Sequence, residues 1–105
     1  MDYSNLSDHE INVKVGSVIG FTAKLMAVNK QTDYCNNPAD AWTIIKENMI
    51  SVCAYRQANP GMKEVSWWEA DNFCEHITRD DNPLRAAMIV FLKMQDSANV
   101  QDNPA

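Results

Sequence analysis

The sequence predicts an α+β fold: three amphipathic helices packed around a small antiparallel β-sheet, α-β-α sandwich-like, in a single domain. Three observations lead there. Helix start signals recur at Ser7, Asn37 and Asn82, a turn at Asn59-Pro60-Gly61 separates two extended runs, and 105 residues leave room for one hydrophobic core. An apolar fraction of 46% and a charged fraction of 22% are those of a folded globular chain.

The first helix, about Asp8 to Ile19, opens on Ser7 as N-cap with Glu10 three residues on, a capping box flanked by Leu6 and Ile11 as a hydrophobic staple. Ile11, Val15, Val18 and Ile19 fall on one face, and Gly20 supplies a left-handed C-terminal residue. Phe21 to Val28 alternates imperfectly and reads as a short strand, followed by a polar loop from Asn29 to Asn36. Asn37 then caps a second helix with Pro38 at its first position, running to about Asn48 and burying Ala41, Trp42, Ile44 and Ile45.

Met49–Gln57 and Met62–Ala70 form a hairpin across the Asn59-Pro60-Gly61 turn. Neither side of the first run is strongly polar, and Trp67 and Trp68 point to opposite faces, so both faces of the sheet could be covered. Phe73 to Thr78 adds a third strand. Asn82-Pro83 starts a third helix to about Gln95, apolar almost all round and therefore the most buried element. The domain is expected to span residues 1–96, with 97–105 a flexible C-terminal tail that has nothing to bury.

Charge and cysteine usage bound the function. A net charge of −5 with nine scattered cations disfavours nucleic acid and anionic lipid. No basic-then-apolar leader opens the chain, and the apolar stretch Ala86–Leu92 is far short of the roughly 20 residues of a membrane span, so a cytoplasmic protein is expected. Cys35, Cys53 and Cys74 are odd in number and lack C-x-x-C spacing, which suits reduced, buried thiols. A zinc site built from Cys74, His76, Cys53 and Cys35 would lack the close ligand pairs of structural sites, so no metal and no cofactor is expected. His9 and His76 sit in no nucleophile motif, the clustered carboxylates at helix starts satisfy helix dipoles, and phosphate-cradling glycine loops are absent. The chain is read as a non-enzyme.

Two features suggest binding. Five rings, Tyr34, Trp42, Tyr55, Trp67 and Trp68, crowd one small core, so some should be exposed as interface anchors. Helix N-termini at Asn37 and Asn82, with Arg79 and Arg85 near the second, could hold a small anion or nucleotide, although Asp80 and Asp81 oppose it. The candidate binding residues are Tyr34, Asn37, Trp42, Trp67, Trp68, Arg79 and Arg85.

The blocks D-Y-S-N-L-S-D-H-E-I-N, D-Y-C-N-N-P-A-D-A-W and D-N-P-L-R-A-A-M-I-V-F-L, in that order, resemble the NinX-like family of small phage proteins. The chain is also similar to a broader phage α-β-α sandwich domain, from which Cys35 and Lys93 depart. The resemblance implies phage origin and the host-cell cytoplasm, and it brings no catalytic residue. The expectation is a phage accessory protein acting by binding, as a homo-oligomer and with a host protein as a further partner. The alternative is a sequesterer of an anionic metabolite or nucleotide.

Overall fold

A computed structural model of the chain describes residues 2–73 and 75–101, with side chains through residue 98; Cys74, one of the thiols weighed for a metal, lies outside the described residues. After a 3₁₀ turn at Tyr3–Asn5, the elements are α1 (Asp8–Ile19), α2 (Phe21–Val28), α3 (Pro38–Glu47), β1 (Ser51–Gln57), β2 (Val65–Asn72), β3 (His76–Asp80) and α4 (Pro83–Gln101). The α+β class is as the sequence predicts, with four helices in place of three.

The start signals work as local chemistry requires. Ser7 Oγ accepts from the Glu10 amide and Glu10 accepts from the Ser7 amide, both at 3.1 Å. Those bonds from Ser7 hold the Glu10 carboxyl below the usual carboxylate range. Asn37 accepts from the Ala39 amide, and Asn82 accepts from the amides of Leu84 and Arg85. Gly61 adopts φ 78° as third residue of a turn closed by Met62 N–H on the Asn59 carbonyl at 3.0 Å, with Pro60 before it: the type II pattern.

Phe21 to Val28 is a helix, not the strand its imperfect alternation suggests. Ala23, Lys24, Leu25, Met26 and Ala27 are strong helix formers, and the segment holds no β-branched run. Gly20 is extended, at φ 158° and ψ 176°, and breaks the chain between α1 and α2 instead of closing α1 with a left-handed residue. The two helices then approach closely at Gly16, where a Cβ would stand 2.8 Å from the Ala23 carbonyl oxygen and 3.0 Å from Lys24 Cα. Ala23 and Ala27, one turn apart, face that contact, and Ala27 is fully buried.

α2 and α3 both end in Schellman turns built without glycine. Lys30 and Met49 take φ of 61° and 50°, while Gln31 N–H reaches the Met26 carbonyl and Ile50 N–H reaches that of Ile45. Buried Ile50 follows the second turn and is drawn into the core by it.

The sheet is antiparallel in the order β1-β2-β3. Its register sets Tyr55 opposite Trp67, Ala54 opposite Trp68, Trp68 opposite Asp80 and Glu69 opposite Arg79. α4 lies on one face, chiefly against β2 and β3, while α1 and α3 pack on its far side. It is therefore the central layer: every residue from Ala86 to Leu92 is buried. Ile11, Val15, Ala41, Ile44, Ile45, Ala70 and Ile50 close around it. α4 runs past the expected end at Gln95 to Gln101, so residues 97–101 of the expected tail are helical, and 102–105 lie outside the described residues.

The second sheet face, which the sequence suggested could be covered too, is open. Cys53, Tyr55, Val65 and Ile77 are exposed there, and β1 is exposed along almost its whole length. The radius of gyration is 15.0 Å, against about 13 Å for a compact chain of this length. The surface of 6917 Å² exceeds the roughly 6,000 Å² that size scaling gives. No helix among the described residues is long and apolar enough to cross a membrane.

Candidate functional site

The three sequence blocks that carry the resemblance meet in space, and what they build is a polar clamp. Arg85, its side chain 12% exposed, sends Nη1 to Asp8 at 2.7 Å and Nε to Asp80 at 3.0 Å. Its Nη2 donates to the carbonyls of Leu6 at 2.7 Å and Ser4 at 3.2 Å. Burial pulls this guanidinium's pKa down, and Asp8 and Asp80 more than reverse that, so it stays charged. Beside it Asn82 donates to the Cys35 carbonyl at 2.7 Å and to Asn36, while Asn12 accepts from the Cys35 amide at 3.0 Å and donates to Asp33. Asp33 N–H in turn donates to Asp40. Each charged group here has a partner inside the chain, so the cluster fastens the N-terminal turn and the 29–37 loop to α4.

The open sheet face is organised differently. Tyr55 and Trp67, directly opposite across β1 and β2, stack with centroids 5.7 Å apart and planes 9° from parallel. Arg79 lays its guanidinium carbon 5.3 Å from the Trp67 ring centroid. Glu69 holds both: it accepts from Trp67 Nε1 at 2.9 Å and pairs with Arg79 Nε at 3.0 Å, its own side chain only 16% exposed. The register explains this assembly, since Tyr55/Trp67 and Glu69/Arg79 are facing pairs on one side of the sheet. Stacking adds about 0.5–1.5 kcal/mol beyond area burial, and an exposed cation–π contact about 0.5–1 kcal/mol. The rings are thus held by contacts within the sheet itself.

Of the seven residues singled out from sequence, Trp67 and Arg79 come together here. Trp68 lies half-buried with its side chain on the opposite face, lining a cleft of ≈ 470 Å³ with Ala54, Arg56, Ser66 and Asp81 that Tyr55 and Trp67 also border. Trp42 is 61% exposed on α3, outside the buried side on which the sequence placed it, and apart from the other rings. Tyr34 is buried, and burial pushes its hydroxyl pKa up. Asn37 is occupied as a helix cap and Arg85 by the clamp. Tyr55 and Glu69 were missing from the sequence-based set. Pairing residues across the Asn59–Met62 turn brings Tyr55 close to Trp67, but only the true register puts them on one face.

Cys35 is fully buried, and burial pushes its thiol pKa up to about 12, so it is a poor nucleophile. Cys53 is exposed on the open face. His9 is exposed and His76 half-buried, with Glu75 4.0 Å from the latter. Among the described residues no group of three or more His, Cys, Asp or Glu is placed to hold a metal ion.

With the geometry in view, comparison with known proteins adds one result. The family model described as Bacteriophage P22, NinX matches residues 2–95. No curated protein and no solved structure matches.

Proposed function

The chain belongs to the Bacteriophage P22 NinX family, and from that premise we propose that it is a phage accessory protein of the host-cell cytoplasm that acts by binding another protein and not by catalysis. One observation carries this reading: a stacked Tyr55–Trp67 pair, capped by Arg79 and steadied by Glu69, on a sheet face that no helix covers among the described residues. Tyr, Trp and Arg are the residue types that anchor protein interfaces, and rings already locked lose little entropy on binding. The clamp supports the same view from the other side. Its charges are spent on internal contacts, so the sequence blocks that define the chain serve the scaffold and leave the working surface elsewhere.

The anion-sequestering alternative has less behind it. Both helix N-termini are capped by their own Asn side chains, and Asp80 sits beside the α4 start with its carboxylate on Arg85 and on the Asn82 amide. A nucleotide phosphate would have to displace these bonds and tolerate that carboxylate.

A Tyr55→Ala/Trp67→Ala variant tests the proposal. Both rings lie on the open face, so the fold should persist, checked by far-UV circular dichroism. Tagged protein should retain a partner from phage-infected lysate and the variant should lose it. Equal retention by both would remove this face from the account, and a melting shift of several degrees with one nucleotide would favour sequestration.

A further inference from the structure

The helical hairpin α1–α2 is turned inside out. Its small residues, Gly16, Ala23 and Ala27, face inward, and the large apolar side chains of α2 face water. Phe21, Leu25 and Val28 recur at i, i+4 and i+7, one stripe of a helix, and all three are exposed, Phe21 by 76%. The apolar stripe of α1 behaves the same way toward this end. Ile11 and Val15 are fully buried, while Val18 and Ile19 on the next turn are 43% and 51% exposed. Together these side chains leave on the order of 500 Å² of apolar surface open, near the upper limit for a monomer, where such patches mark interaction sites.

Charge selects what covers it. Residues 11–32 hold three lysines, Lys14, Lys24 and Lys30, and no carboxylate. Taking that +3 from the net −5 leaves −8 on the rest of the chain. Arg56, Arg79 and Arg85 are each paired with carboxylates, whereas none of these three lysines makes a salt bridge among the described residues; Lys14 lies in a cleft with Asp96 and Lys30 in one with Asp8 and Asp33, which leaves Lys24, beside Phe21 and Leu25, as the cation of the stripe itself. A second copy packed on the same stripe about a two-fold axis would set Lys24 against Lys24. An anionic bilayer would attract the hairpin but repel the −8 remainder. An acidic amphipathic protein segment avoids the first obstacle and, being no larger than the hairpin, faces the −8 remainder over far less area than a bilayer does.

We propose that the outer face of α1–α2 is a docking site for an acidic amphipathic helix of a partner protein. The apolar stripe takes the helix's hydrophobic side, and the lysines take flanking carboxylates. This surface is separate from the open sheet face, and the inference rests on reading the chain as a binding protein.

The test uses full-length protein and two fluorescein-labelled synthetic helical peptides with the same leucine stripe, one carrying Glu and the other Lys at the remaining positions. Fluorescence anisotropy should show the Glu peptide binding at least tenfold more tightly, weakening as salt rises. Phe21→Ser/Leu25→Ser should lower its affinity at least tenfold with the melting temperature unchanged, and Lys24→Glu should lower it without touching the apolar stripe. Equal binding of both peptides would overturn the proposal. So would a native dimer, seen by light scattering, that Phe21→Ser/Leu25→Ser dissociates, or stronger adsorption to vesicles of equal phosphatidylglycerol and phosphatidylcholine than to the Glu peptide. Failure here with a partner still captured through Tyr55 and Trp67 would remove this site alone.

Discussion

Replacing Arg85 with Ala is expected to remove about 3–5 kcal/mol of stability, the cost of breaking a buried ion pair, measured by urea denaturation. The side chain holds two carboxylates and the carbonyls of the N-terminal turn, and Ala leaves Asp80, only 21% exposed, without its cation. Asp8 is more open, so solvent screens part of its loss and the lower half of the range is the better expectation. Domains of this size have only about 5–15 kcal/mol in total, so the variant should melt roughly 12–25 °C below wild type. Arg85→Lys should recover less than half, because an ammonium cannot reach Asp8, Asp80 and two carbonyls with a planar fork. If Arg85→Ala melted within a degree or two of wild type, the clamp would not be what ties the three sequence blocks together.

The second large effect is at Gly16. At an exposed position in a helix interior, Gly→Ala stabilises by up to about 1 kcal/mol. Here the sign should invert, with Gly16→Ala costing about 1–2 kcal/mol, since the new Cβ meets the backbone of Ala23 and Lys24 and not a side chain that could swing aside. Gly16→Val should cost about 3 kcal/mol and should loosen α2 from α1, read as faster hydrogen exchange of α2 amides with those of α4 unchanged. A stabilised Gly16→Ala would mean that the two helices do not approach as closely as described.

These two sites also show what could be read in the chain beforehand and what could not. The capping box at Ser7, the Asn-Pro starts at Asn37 and Asn82 and the turn at Pro60-Gly61 are local devices, each complete within four residues, and each appears where the sequence puts it. The all-round apolarity of α4 likewise announced a central helix. α2 reads as a strand only if its partial alternation is weighed above the helical spacing of Phe21, Leu25 and Val28, an easy confusion in a segment of eight residues. The useful clue was smaller, the Ala23–Ala27 spacing opposite Gly16. Nor could Lys30 and Met49 be foreseen as left-handed turn residues, since neither is glycine or asparagine.

The candidate sites divide the same way. Arg85 looked like a residue for a ligand because its neighbours in sequence are a helix start and two aspartates; Asp8, which completes the clamp, is 77 positions away. Trp67 and Arg79 were legible as residue types, but their joint geometry depends on strand register. A slip of one residue would send Tyr55 to the face where Trp68 lies and dissolve the stack.

The central claim, that the open sheet face meets a protein partner, is tested most directly by placing a benzophenone amino acid at position 55 and, as a control, at the exposed Thr43 of α3, then irradiating phage-infected cells. The account predicts a discrete higher-mass adduct from position 55 and none from position 43. Adducts of equal yield from both positions, or none from position 55, would contradict it.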